Sequence, residues 1–176
     1  MARRFVLTVM LLLGTTLAVA STSGARVWNA PRDADVSLGA VELAAPAEQV
    51  YATLTDYGRW PQVFQGIRST TVVSGGRDDA RVQFRSLRFE RPYTMQFRNE
   101  PGRLVRFAVV DGVMGSEIRA RLKLVPVSTE TTRLDVHLET ELPSVLDLVL
   151  PERLVQEKRA GMLRTHLEDL RRFFSS

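Results

Sequence analysis

Hydrophobic and polar positions alternate along most of this chain. Val41 and Leu43 flank Glu42 ahead of Pro46, which predicts a strand. Pro46 then opens a helix in its first turn, and Val50, Leu54 and Tyr57 follow at helical spacing. Gly58 and Pro61 break it, and Trp60 to Phe64 reads as a second short helical turn. The β-branched run from Ile67 to Val73 ends at Ser74-Gly75-Gly76, with Arg77-Asp78-Asp79 extending a solvated turn. Beyond it, Val82 and Phe84 share one parity. So do Tyr93, Met95 and Phe97, then Val105, Phe107 and Val109 after the Pro101-Gly102 turn. Ile118, Ala120, Leu122 and Leu124 alternate with arginine and lysine, and Leu134, Val136 and Leu138 alternate with Asp135 and His137. Such alternation predicts antiparallel strands with one dry and one wet face. The parity slips between Phe84 and Leu87, which predicts a bulge or turn near Ser86.

The period then changes. Ser144 with Asp147 three residues on resembles a capping box, and Pro151 suits the first position of a helix. Val155, Met162, Leu163, Leu167, Leu170 and Phe174 form an apolar stripe at helical spacing. A helix from Pro151 to Phe174 would be about 36 Å long, enough to cross a sheet. The order is a strand, one or two short helices, about six strands and one long helix, which predicts an α+β fold with the helix on one sheet face.

The N-terminus carries a different signal. Met1-Ala2-Arg3-Arg4 is basic, Phe5 to Leu13 is apolar with a single threonine, and Ala18-Val19-Ala20 is a small-residue cleavage pattern. Residues 1–20 therefore read as a secretory signal peptide, with Ala25 as an alternative end. The apolar run is short for a bilayer span, which needs about 20 residues, so a cleaved signal is favoured over the alternative of a retained anchor. Residues 21–34 read as a linker, in which Trp28 either adds to an edge strand or dangles, and residues 35–176 read as one domain. An exported, cysteine-free protein fits a bacterial periplasm, or secretion in other cells.

Composition narrows the chemistry. Among 176 residues there is no cysteine, which excludes disulfides, thiolate catalysis and iron–sulfur clusters. Two histidines, His137 and His166, leave little for a metal site, and the chain points to no cofactor. The formal charge of +4 falls to +2 once Arg3 and Arg4 leave with the signal, too weak for a nucleic-acid partner. There is no Gly-x-Ser-x-Gly elbow, no phosphate-binding glycine loop and no placeable acid pair.

From Val41 to Tyr57 the segment Val-Glu-Leu-Ala-Ala-Pro-Ala-Glu-Gln-Val-Tyr-Ala-Thr-Leu-Thr-Asp-Tyr resembles the opening of the START-like, or SRPBCC, superfamily. Tyr-Gly-Arg-Trp-Pro, Thr132-Arg133-Leu134 and Leu150-Pro151 before a long terminal helix fit it too. The chain most resembles the polyketide cyclase/dehydrase and coenzyme Q-binding START-like group, over about Val36 to Phe174. The resemblance implies a helix-grip fold: a curved antiparallel sheet wrapped round the C-terminal helix, with a hydrophobic cavity between. Such proteins bind lipids, sterols, quinones, polyketides or plant hormones, and some are cyclases or dehydratases. No catalytic set is shared, so the fold implies a pocket and not a reaction.

Large, soft residues on the dry parity suit the wall of such a pocket or plain core: Phe84, Tyr93, Met95, Phe97, Phe107 and Ile118. Trp60 and Phe64 suit a cap. Gly161 beside Met162 suits a gap in the long helix, or is simply tolerated there. Met114, between Gly112 and Gly115, suits a gating loop or an ordinary turn. His166 borders the apolar stripe and, with Tyr93, is a candidate acid–base or orienting group, while His137 faces solvent. Arg81, Arg85, Arg88 and Arg91 either touch anionic lipid headgroups transiently or form a solvated face, and Arg171-Arg172-Phe173-Phe174 offers a weak membrane-contact tip.

The first expectation is a periplasmic binding protein for a hydrophobic small molecule, lipid or quinone-like. The alternatives are a polyketide cyclase or dehydratase using the same cavity, and a cell-envelope interaction module whose cavity is filled. The pattern sets no oligomeric state.

Overall fold

The computed structural model describes residues 24–30, 33–87, 90–112, 117–141 and 151–176. Strands β1 (Arg26–Ala30) and β2 (Asp33–Leu43) lead into helix α1 (Ala47–Thr55). A 3-10 turn (Tyr57–Arg59) and short helix α2 (Trp60–Val63) follow. Six strands come next: β3 (Ile67–Gly75), β4 (Asp79–Ser86), β5 (Tyr93–Arg98), β6 (Leu104–Asp111), β7 (Glu117–Pro126) and β8 (Thr132–Glu141). Helix α3 (Glu152–Ser175) ends the chain. All eight strands form one curved antiparallel sheet in the order β1-β2-β8-β7-β6-β5-β4-β3, so the expected α+β arrangement of a sheet gripping a long helix is what the chain forms.

The alternation is the cause. On β7 and β8 the buried residues face each other across the ladder, as Ala120 opposite Leu138, Leu122 opposite Val136 and Leu124 opposite Leu134. Arg119, Arg121 and Lys123 take the exposed parity between them. A one-residue slip would turn every apolar side chain outward, so burial fixes the register. The slip expected near Ser86 is present as a register shift between Ile67 and Ser69, opposite Ser86 and Arg85.

The segment read as a linker is corrected in part. Its residues Arg26–Ala30 form the edge strand β1, paired through Val27 with Gly39 and Trp28 with Leu38. Val27 packs on the core and Trp28 points outward, 46% exposed. The Ala25 N–H donates to Glu168 Oε1 at 2.8 Å, tying this end to α3. Five residues are too few for a period to show in sequence. The helix also begins one residue later than expected: Pro151 is its cap (φ −58°, ψ 128°) and Glu152 is the first helical residue. Ser144, Asp147 and the signal segment lie outside the described residues.

The turn at Asp78-Asp79 is not merely solvated. Tyr51 of α1 donates its hydroxyl to Asp78 Oδ1 at 2.7 Å. Arg77 Nε donates to Thr55 Oγ1 at 3.0 Å, with its guanidinium 4.8 Å over the Tyr51 ring. Asp79 Oδ1 accepts from Gln96 Nε2 at 2.7 Å. The Tyr51 and Arg77 contacts hold α1 onto the β3–β4 turn, and burial together with Asp78 pushes the Tyr51 phenol well above its ordinary value.

Helix α3 packs most closely on β2, and Gly39 makes that approach possible. A Cβ at Gly39 would lie 2.8 Å from Leu167 Cδ1 and 3.2 Å from Leu163 Cδ2. Both leucines are buried and have little room to yield. Gly39→Val should therefore cost about 1–3 kcal/mol through overpacking, read as a lower urea midpoint at unchanged slope.

Candidate functional site

Between the sheet and α3 lies a cavity of about 170 Å³. Its floor is the inward parity of four strands. Tyr93 and Met95 come from β5, and Phe107 and Val109 from β6. Ile118, Ala120 and Leu122 come from β7, with Val136 and Leu138 from β8. Helix α3 supplies the roof through Met162, Leu163, His166, Leu167 and Leu170, one face at three- and four-residue spacing. Trp60, Phe64, Gly66, Ile67 and Ser86 close one side.

Of the residues expected at a pocket, Trp60, Phe64, Tyr93, Met95, Phe107, Ile118, Met162 and His166 are brought together on this wall. Phe84 and Phe97 are not. Both are fully buried in an aromatic cluster beside the cavity. The Trp60 ring lies 5.3 Å from Phe84 and 5.6 Å from Phe97, and Tyr57 lies 4.4 Å from Phe97. They share the inward parity but sit where α1, α2 and the 3-10 turn cover the sheet. Met114 and Arg88 lie outside the described residues.

Trp60 is fixed rather than lid-like. It is buried and its indole N–H donates to Leu54 O at 3.1 Å. Gly161 makes no gap toward the cavity: it is exposed, and a Cβ there would meet nothing within 4 Å. The mid-helix glycine is a plain helix-propensity cost, so Gly161→Ala should stabilise the protein by about 1 kcal/mol in a thermal melt. The C-terminal aromatic pair is not a free tip. Phe173 and Phe174 pack against the core, and the Arg59 guanidinium lies 5.6 Å from the Phe173 ring. Arg81, Arg85 and Arg91 are exposed.

The sequence pattern did not single out Ala120, Leu122, Val136 and Leu138, although they carry the same inward parity as Ile118. Small or common aliphatic side chains read as filler. Gly66 and Ser86 gave no signal, because both stand at strand ends where the parity slips.

The wall is apolar with few exceptions. Among the described lining residues, Ser86, Tyr93 and His166 add polar side chains to the indole of Trp60, and no carboxylate does. Burial pushes the Tyr93 phenol up to about 12, so at neutral pH it is a hydroxyl and not a base. Its ring stacks on Phe84 at 5.5 Å. His166 is half-buried and meets Phe64 edge-on at 5.5 Å. The buried Arg159, one turn before Leu163 on α3, pairs with Asp35 at 3.9 Å, and burial lowers its guanidinium's value. Among the described residues no three His, Asp or Glu gather as metal ligands, and no helix is long and apolar enough to cross a membrane.

No curated relative matches the sequence. Solved structures match the fold. A START superfamily protein from Mycobacterium smegmatis is 18% identical with a TM-score of 0.67, over 80% of this chain and 97% of that one. A STAR-related lipid transfer protein from Xanthomonas axonopodis is 16% identical with a TM-score of 0.67, over 87% and 94%. The Zhui aromatase/cyclase from Streptomyces sp. R1128 is 15% identical with a TM-score of 0.56, over 85% and 96%. The model of the polyketide cyclase / dehydrase and lipid transport family matches residues 36–172, which is the sheet from β2 onward, the cavity and nearly all of α3, and the chain belongs to that family.

Proposed function

We propose that this is an exported binding protein for a hydrophobic small molecule, lipid or quinone-like, carried in the cavity under α3. The observation that carries this reading is the wall itself: apolar on nearly every side, with no carboxylate among the described lining residues. Such a wall works by desolvation, at roughly 25 cal/mol for each Å² of apolar surface taken from water. The size limits what enters. An engineered cavity of about 150 Å³ accommodates benzene, so about 170 Å³ takes one ring or a short length of chain, and a longer tail would extend through the mouth. The space also argues against an interaction module with a filled interior. Export rests on the basic start, apolar run and small-residue site of residues 1–20.

A second reading, a cyclase or dehydratase, draws on the family description and on His166 and Tyr93 lining the same cavity. In that case His166 is the base and Tyr93 the proton-holding donor. His166→Ala would then lower turnover about 100-fold or more, whereas a carrier loses no more than about tenfold in affinity.

Native mass spectrometry on protein recovered from the cell envelope tests the carrier reading. A stoichiometric apolar ligand is the expected result. Bare protein whose melting temperature is unmoved by fatty acids and short-tailed quinones would overturn it, since ligand at about 100 times Kd adds about 2.7 kcal/mol.

A further inference from the structure

We propose that Ser86, Tyr93 and His166 form a hydrogen-bonding subsite in the cavity wall, and that the buried part of the ligand presents a hydroxyl or carbonyl oxygen to it. The proposal rests on the carrier reading and says what part of the ligand that wall selects.

The three groups come from distant points of the sequence to one corner. Ser86 stands opposite Ile67 in the β3–β4 ladder, and the next residue, Leu87, donates its N–H to Gly66 O at 3.0 Å. A Cβ on Gly66 would stand 3.8 Å from His166 Cε1, so the imidazole reaches the same corner from α3. Phe84 lies two residues before Ser86 on the same strand face and pairs with Tyr93 across the β4–β5 ladder, with the two rings stacked. All three side chains line the cavity.

Their chemistry suits an oxygen. A serine hydroxyl offers one donor and two acceptor positions, a phenol both donates and accepts, and an imidazole has two nitrogens. Each can therefore serve a ligand atom in addition to a protein neighbour. Tyr93 remains a donor through the neutral range because burial holds its proton. Phe, Ala and Leu would fill these three positions in a plain core without any polar atom to satisfy, and the side chains of the rest of the wall, apart from the Trp60 indole, follow that rule. The cavity's size limits the buried portion to one ring or a short length of chain. An orienting polar cluster in an apolar pocket is how small-molecule sites acquire selectivity.

A matched pair of probes, toluene and p-cresol, tests this by titration calorimetry on the purified protein. In a wholly apolar wall the cresol hydroxyl loses its hydration unrewarded, and p-cresol binds more weakly than toluene. The subsite predicts the reverse, p-cresol tighter by about tenfold. Tyr93→Phe, Ser86→Ala and His166→Phe should each reduce that preference about five- to tenfold, with toluene affinity within about twofold of wild type. Toluene binding as well as or better than p-cresol overturns the subsite and leaves the carrier reading standing. So does an equal loss of both probes in the variants, which marks a packing role. Binding of neither probe also overturns the subsite, while the native mass spectrometry and melts above decide the carrier reading separately.

Discussion

Phe97→Ala is expected to cost about 3–5 kcal/mol of stability, the largest loss expected from truncating one side chain of this fold. The ring is fully buried, and four other aromatic rings surround it: Tyr57 at 4.4 Å, Phe107 at 5.5 Å, Trp60 at 5.6 Å and Phe84 at 6.2 Å. These come from the 3-10 turn, α2, β4 and β6, so the void left behind cannot close by moving one element. At roughly 2–4 °C per kcal/mol for a domain of this size, the melting temperature should fall by about 10 °C. Phe107→Ala supplies the contrast. That ring also faces the cavity, so part of its surface touches no packed neighbour and its removal sacrifices less dispersion energy. Chemical melts of both variants decide the matter. Phe97→Ala costing no more than Phe107→Ala would mean that the cluster is not the anchor of the closed end.

The same pair shows how far the sequence reaches. Phe97 and Phe107 have the same inward parity, and alternation tells which face of the sheet a residue joins. It does not tell which end of that face a helix covers. That is decided by α2 and the 3-10 turn laying Trp60 and Tyr57 over β4 and β5, a pairing of residues far apart in the chain that no local pattern encodes. The fold was therefore legible and the wall of the cavity only half so. Glycine shows the same division. Gly161, in mid-helix, suggested a close approach and faces water, whereas Gly39, in a strand, carries the real one against Leu167. A glycine inside a strand is the better sign of backbone contact, because a mid-helix glycine costs only propensity and survives on any exposed face. Strand β1 was legible only as the edge-strand option at Trp28, because its five residues end before a period can repeat.

Ala120→Phe should abolish ligand binding while leaving the fold intact. Ala120 sits mid-floor, paired with Phe107 on one side and Leu138 on the other, and its side chain is all that separates the sheet from the open space. A benzyl group there enters a void of about 170 Å³ instead of a packed core. The usual overpacking penalty of about 1–3 kcal/mol is then offset by the dispersion attraction between the new ring and the cavity wall. The apo protein should melt at the wild-type temperature or above it. The ligand meets the opposite fate, since one ring occupies the room that one ring needs. Affinity should fall by at least about 100-fold, or about 2.7 kcal/mol, and the ligand-induced rise in melting temperature should vanish with it. A variant that melts normally and still takes ligand at wild-type affinity would place the binding site somewhere other than this cavity. A variant that fails to melt cooperatively would instead mean that the space is smaller than a phenyl ring, and Ala120→Leu, with the same two readouts, then decides between blocked and remote binding.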